Sequence, residues 1–182
     1  YSSFRQRGCM MADGGIDILA NFQPNSNNSK MLRDSFSRFA TGVTIVTCGS
    51  ADGHIGITAN SFSSISLDPA LIMWALAKKS SRFKYFDVAK YFAIHVLDIK
   101  QHQICNDFSK RNNAFENLNY SISENGVPLI ENCLARFSCI KDISHNAGDH
   151  QIVIGKVLNA QMRDGDPLTF YAGQFGKIQA RY

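Results

Sequence analysis

The chain has 182 residues, of which 45% are hydrophobic and 19% charged, enough for one globular domain to bury a core without disulfide staples. A formal net charge of +4 is too mild for a nucleic-acid footprint, and no apolar run approaches the roughly 20 residues of a membrane-spanning helix. Five cysteines, an odd number without a CxxC pair, point to free thiols in a reducing compartment rather than to a metal site. No signal-peptide core is present near the start, so the expected location is the cytoplasm.

In chain order, residues 1–28 are rich in Gly, Asn, Ser and Asp and are expected to be a flexible leader, with 29–182 forming the domain. A helix is predicted from Ser29 as N-cap to Thr41-Gly42, with Met31, Leu32, Phe36, Phe39 and Ala40 on its apolar face. GVTIVTC (42–48) is a β-branched strand, and GSADG (49–53) turns it into a second strand whose Ile55, Ile57 and Ala59 share one face.

That second strand runs into a series of small hydroxyl and amide residues, Thr58, Asn60, Ser61, Ser63, Ser64 and Ser66, closed by Leu67-Asp68-Pro69. Two readings fit this stretch. It is either a Ser/Thr-rich edge strand whose hydroxyls cap local backbone, or a wall of amides and hydroxyls for a flat polar ligand.

ALIMWALA (70–77) is a buried strand, and KKSSRFKYFDVAKY then turns to helical spacing, capped by Ser80 or Ser81, with Phe83, Phe86, Val88 and Ala89 inward. FAIHVL (92–97) is a strand. Residues 98–110 are helical, capped by Asp98, with Ile104, Cys105 and Phe108 inward. A loop from Asn117 to Gly126 leads to long strands at 132–144 and 150–162, a turn at 164–167 and a short strand at 168–173. Many strands, few helices and hairpin connections predict a mainly β fold, an antiparallel barrel. There is no GxGxxG after a strand and no GxxxxGK[ST], so neither a Rossmann domain nor a P-loop is indicated.

Eight of the 19 basic residues fall between Lys78 and Arg111, either as a solvated face or, in part, as phosphate contacts. Gly148-Asp149-His150 sets an imidazole at the start of a strand, where it either lies on the surface beside an ordinary turn or points into a cleft. No GxSxG elbow supports hydrolase chemistry, and His145 and His150 lack a carboxylate at metal-ligand spacing.

The order FATGVTIVT, GITANSFSSISLDPALIMWAL, KKSSRF and AGDHQIVIGKV resembles the short-chain flavin reductase family over about residues 31–173. The resemblance implies a homodimeric split β-barrel of the FMN-binding type that oxidises NADH or NADPH and reduces FMN or FAD. It also implies a monooxygenase component that receives the reduced flavin. Carried over by position, Thr58, Ala59, Asn60 and Ser61 line the isoalloxazine, and Ser64 and Ser66 lie nearer the ribityl chain or phosphate. Lys79, Ser80, Ser81 and Arg82 match the phosphate region, with the choice between Lys78 and Lys79 open. Gly148, Asp149 and His150 match the nicotinamide segment, where His150 positions NAD(P)H. Phe170, Tyr171 and Gly173 close the flavin site. No side chain acts as nucleophile or acid–base, and no metal, nucleic acid or membrane is implied. A different reading keeps FMN bound as an electron carrier without NAD(P)H turnover, and a third is a barrel that only binds a ligand.

Overall fold

The structure, a computed structural model, describes residues 19–110, 114–116 and 118–178. One 3-10 turn, Ser26–Asn28, leads into the helix Ser29–Phe36 (α1). Strands Thr41–Gly42 (β1), Thr44–Ser50 (β2), Gly53–Ala59 (β3), Ser63–Leu67 (β4) and Ala70–Ala77 (β5) follow. The helix Phe83–Val88 (α2) and strand Tyr91–Val96 (β6) come next, then a 3-10 turn at Ile99–Gln101 and the helix His102–Lys110 (α3). Strands Tyr120–Ile122 (β7), Pro128–Ile130 (β8), Ala135–Ala147 (β9), His150–Met162 (β10), Thr169–Tyr171 (β11) and Gln174–Gly176 (β12) complete the order.

The main sheet has seven strands in the order β3-β2-β6-β9-β10-β5-β4, with antiparallel neighbours throughout. Its two edges, β3 and β4, are consecutive in sequence and joined only by residues 60–62. Four residue steps span at most about 14 Å, so the sheet must curl until its edges nearly meet. No ladder joins β3 to β4, which leaves the barrel split along that seam.

The alternation of β2 divides the core. Val46 and Cys48 face inward to a cluster with Trp74, Leu76, Phe86, Phe92 and Val153. Val43 and Ile45 face the other side, where Cys105 and Phe108 of α3, with Phe115, Ile130 and Leu168, form a second cluster. α3 can lie this close because Gly56 of β3 has no side chain: a Cβ there would stand 2.2 Å from the Phe108 ring.

Several elements differ from the sequence-based expectations. Asn25 caps the first 3-10 turn, and Ser29 is already helical, so the expected Ser29 cap is displaced upstream. α1 ends at Phe36, and of the residues expected on its apolar face Leu32 is half-buried, whereas Phe36 and Phe39, the latter beyond the helix end, are 69% and 78% exposed. In α2 the N-cap position is Arg82 rather than Ser80 or Ser81, and Val88 is 80% exposed rather than inward. Within the expected 117–126 loop, Tyr120–Ile122 pairs with Pro128–Ile130 as a small hairpin. The predicted 168–173 strand is a hairpin, β11–β12, that pairs with β1. Asp98 caps its turn as expected, its carboxylate accepting from the Lys100 amide while Gln101 accepts from the Asp98 amide. Of the leader expected at 1–28, residues 1–18 lie outside the described residues.

Candidate functional site

β5 organises the site. Trp74 and Leu76 point into the core, so Ala75 and Ala77 face the opposite side, together with Ile152 and His150, their partners on β10. The result is a shelf floored by two methyl groups. The sequence reading did not single out Ala75 and Ala77, although the alternation of large and small residues in ALIMWALA carries the signal.

Ser61 borders one side of this shelf. β3 leaves the sheet after Ala59, whose carbonyl accepts from Thr44 Oγ1 at 2.6 Å. Ser61 Oγ then continues the edge ladder in place of backbone, accepting from the Ala75 amide at 2.9 Å and donating to the Ala75 carbonyl at 3.3 Å. The Thr58 hydroxyl is turned the other way, donating to the Cys105 carbonyl of α3 at 2.9 Å. Ala59 packs on the barrel core, whereas Asn60 is exposed at the seam. Thr58 and Ser61 thus fix the backbone of the segment, and Asn60 presents its amide outward.

The Gly148-Asp149 turn lies at the other end of the shelf. It joins β9 to β10 as a two-residue hairpin loop, Ala147 pairing with His150, and Gly148 takes the left-handed φ of +61° that such a loop needs. His150 Nδ1 lies 2.8 Å from Asp149 Oδ1. The hydrogen bond from His150, followed by that residue's charge, holds the Asp149 carboxyl below the usual carboxylate range, with a smaller contribution from Lys79. The pair fixes the ring so that Nε2 is left for a ligand.

Lys78 binds this turn directly, its amide donating to the Asp149 carbonyl at 3.0 Å and its Nζ to the Gly148 carbonyl at 2.7 Å. Lys79, Ser80, Ser81 and Arg82 follow as a tight turn in which Ser80 Oγ accepts from the Arg82 amide at 3.2 Å. Arg82 is buried, and desolvation lowers the pKa of its guanidinium. α2 has only six residues, so its dipole is weak and anion binding there falls to side chains and turn amides.

The structure therefore brings Asn60, Ser61, Lys79, Ser80, Ser81, Arg82 and the Gly148–His150 turn to one end of β5. It does not bring Ser64 and Ser66 there. They pair with Ile72 and Leu71, six and seven residues before Lys78, or about 20 Å back along the strand. Antiparallel pairing carries β4 away from the phosphate turn, so these two hydroxyls border the far part of the shelf at most. Tyr171 belongs to another sheet, in the hairpin held by β1, by the Ala172 amide on the Ser37 carbonyl and by Phe175 against His102.

Among the described residues no cluster of His, Cys, Asp or Glu could hold a metal ion. The donor set does fit a phosphorylated flavin and a nicotinamide: a flat floor without bulk, an amide and hydroxyls at one side, a cationic Ser-rich turn and an oriented imidazole. A split barrel with this arrangement presents a flat, polar and partly cationic surface along one strand.

Residues 36–179 match the flavin reductase like domain. The FMN reductase (NADH) SmoA of Agrobacterium fabrum is 47% identical over 157 residues, covering 86% of this chain and 90% of that protein. The reductase component of a flavin-dependent trigonelline monooxygenase from Acinetobacter baylyi is 42% identical over 82% of this chain, which spans only 49% of that relative. Among solved structures, the NADH:FAD oxidoreductase SgcE6 of Streptomyces globisporus superposes with a TM-score of 0.83 at 28% identity, covering 91% of this chain and 96% of that one. The chain belongs to the flavin reductase family.

Proposed function

We propose that this protein is an NADH:flavin oxidoreductase that reduces free FMN or FAD and releases it to a partner monooxygenase, working as a homodimer. One observation carries the reading: Ser61 is bonded to Ala75, and the Asp149–His150 turn is bonded to Lys78, only three residues further along the chain and just past the end of β5. Relatives named as NADH-dependent FMN reductase and as monooxygenase reductase components support the donor and the partner class.

The bound flavin supplies the electron-accepting ring. The chain's own residues bind and orient. Asn60 and the amides around Ser61 meet the polar edge of the ring, and the floor of Ala75 and Ala77 lets it lie flat. Lys79 with Ser80 and Ser81 neutralises the phosphate, and buried Arg82 underlies that turn. His150, oriented by Asp149, meets the nicotinamide nucleotide. Holding two rings in register is worth up to about 7–11 kcal/mol of the barrier in favourable cases, and hydride transfer needs no protein nucleophile.

The decisive experiment follows NADH oxidation by the flavin-stripped protein with FMN, FAD or riboflavin added in turn. Turnover that saturates with free flavin is the expected result, and none with any flavin or with NADPH would refute the reading. Because reduced flavin must leave, flavin is expected to bind with a Kd of about 1 μM, equivalent to about −8 kcal/mol. Stoichiometric flavin surviving dialysis would contradict release by diffusion.

A further inference from the structure

We propose that Lys78 is a positioning residue that joins the phosphate turn to the nicotinamide turn, and that Lys79 alone is the lysine that meets phosphate. The inference rests on the reductase reading above and resolves a register that the sequence leaves open. Lys78 sits where β5 ends, immediately after the pair Ala77–His150. Its amide reaches the Asp149 carbonyl at 3.0 Å and its ammonium reaches the Gly148 carbonyl at 2.7 Å. One residue thus grips consecutive carbonyls of a two-residue loop, both of which would otherwise be left to water.

The loop is exposed on all sides, and a Cβ at Gly148 would meet nothing within 4 Å. Packing therefore does not hold it, and Lys78 supplies the tie that packing does not. The ammonium is thus engaged with the loop. The next residue, Lys79, is also exposed; both lysines are central residues of the turn that the Ser80 amide closes on the Ala77 carbonyl at 3.0 Å, and it is the Lys78 ammonium that is bound to the loop. The Lys79 charge still reaches Asp149, so both turns share one electrostatic environment. The consequence is coupling: a displacement of the phosphate turn moves His150, and the reverse.

The test compares Lys78→Met, Lys78→Arg and Lys79→Met by steady-state kinetics, flavin binding and backbone amide exchange. Lys78→Met is expected to raise the KM for NADH about tenfold with a much smaller change in kcat. It should also speed amide exchange across residues 147–151 severalfold while leaving the ratio of FMN to riboflavin affinity unchanged. Lys78→Arg, which keeps a donor, should restore both readouts. Lys79→Met should lower FMN affinity relative to riboflavin while exchange in the 147–151 turn stays at the wild-type rate. Loss of FMN but not riboflavin affinity in Lys78→Met would make Lys78 the phosphate ligand and overturn the inference. Wild-type NADH KM and exchange in that variant would overturn it equally. If the unmodified protein fails to oxidise NADH or NADPH with any of the flavins, the reductase reading fails by itself, and the exchange data still decide whether Lys78 holds the turn.

Discussion

His150 and His95 show how one residue type serves two ends. His150 is half-exposed and oriented by Asp149, so its ring is available to a ligand. His150→Ala should therefore raise the KM for NADH about tenfold and leave that for flavin within about twofold, as expected for a lost hydrogen bond near 1.4 kcal/mol. Equal effects on both substrates in steady-state assays would remove its assigned role. His95 is fully buried: Nδ1–H donates to the Ile45 carbonyl at 3.0 Å, and Nε2 accepts from the Ile130 amide at 3.0 Å. That pairing requires the neutral ring, and burial pulls its pKa down from 6.5 to about 3. Above pH 6.5 the ring is neutral whether the chain is folded or not, and its contribution to stability is complete. Between 6.5 and about 3 only the unfolded chain takes the proton, so stability falls with falling pH by up to about 1.4 kcal/mol per unit. Urea titrations at several pH values should show that slope and its loss in His95→Gln, whose amide can both donate and accept. An unchanged slope in the variant would assign the acid sensitivity to other groups.

At the level of elements, α3 and α2 are braces for the site. Gly56 admits Phe108, Phe108 seats α3, and the Cys105 carbonyl of α3 receives Thr58 Oγ1. Gly56→Ala forces the ring to move and is expected to cost about 1–3 kcal/mol of stability as overpacking. It should also raise the flavin KM severalfold, because Thr58 loses its anchor. Chemical denaturation and flavin titration of one sample check both, and unchanged flavin affinity in a destabilised variant would break the link. α2 is held at its far end by Lys141 Nζ, which donates to the Phe86 carbonyl at 3.0 Å and the Asp87 carbonyl at 2.6 Å. The sequence pattern exposed the strands, the Asp98 cap and the turn before His150, because apolar alternation and turn residues act locally. The positions of Ser64 and Ser66 were not legible, since they depend on antiparallel register and on the bulge at Ile65. Nor was the Thr58–Cys105 bond, which joins residues 47 apart.

Taken as a whole, the described residues leave large apolar side chains exposed. α1 has eight residues, below the roughly 12–15 at which even a favourable isolated helix becomes marginal, so it needs a tertiary partner. Yet Phe36 and Phe39 are 69% and 78% exposed, and at the split edge Leu67 is 97% exposed. A net charge of +4 on 182 residues is too small to keep such surfaces apart. In the proposed homodimer a second copy would cover α1 and so account for both the helix and its apolar face. Light scattering should then give about twice the chain mass of 20.2 kDa. Burying two phenylalanines per protomer, four in the dimer, is worth about 6–12 kcal/mol, so Phe36→Ser with Phe39→Ser should weaken association by roughly 10⁴-fold or more and give monomers at micromolar concentration. A wild-type chain that is monomeric at full turnover would show that the shelf on β5 needs no partner. A doubly substituted chain that remains dimeric would move the interface from α1 to the split edge at Leu67.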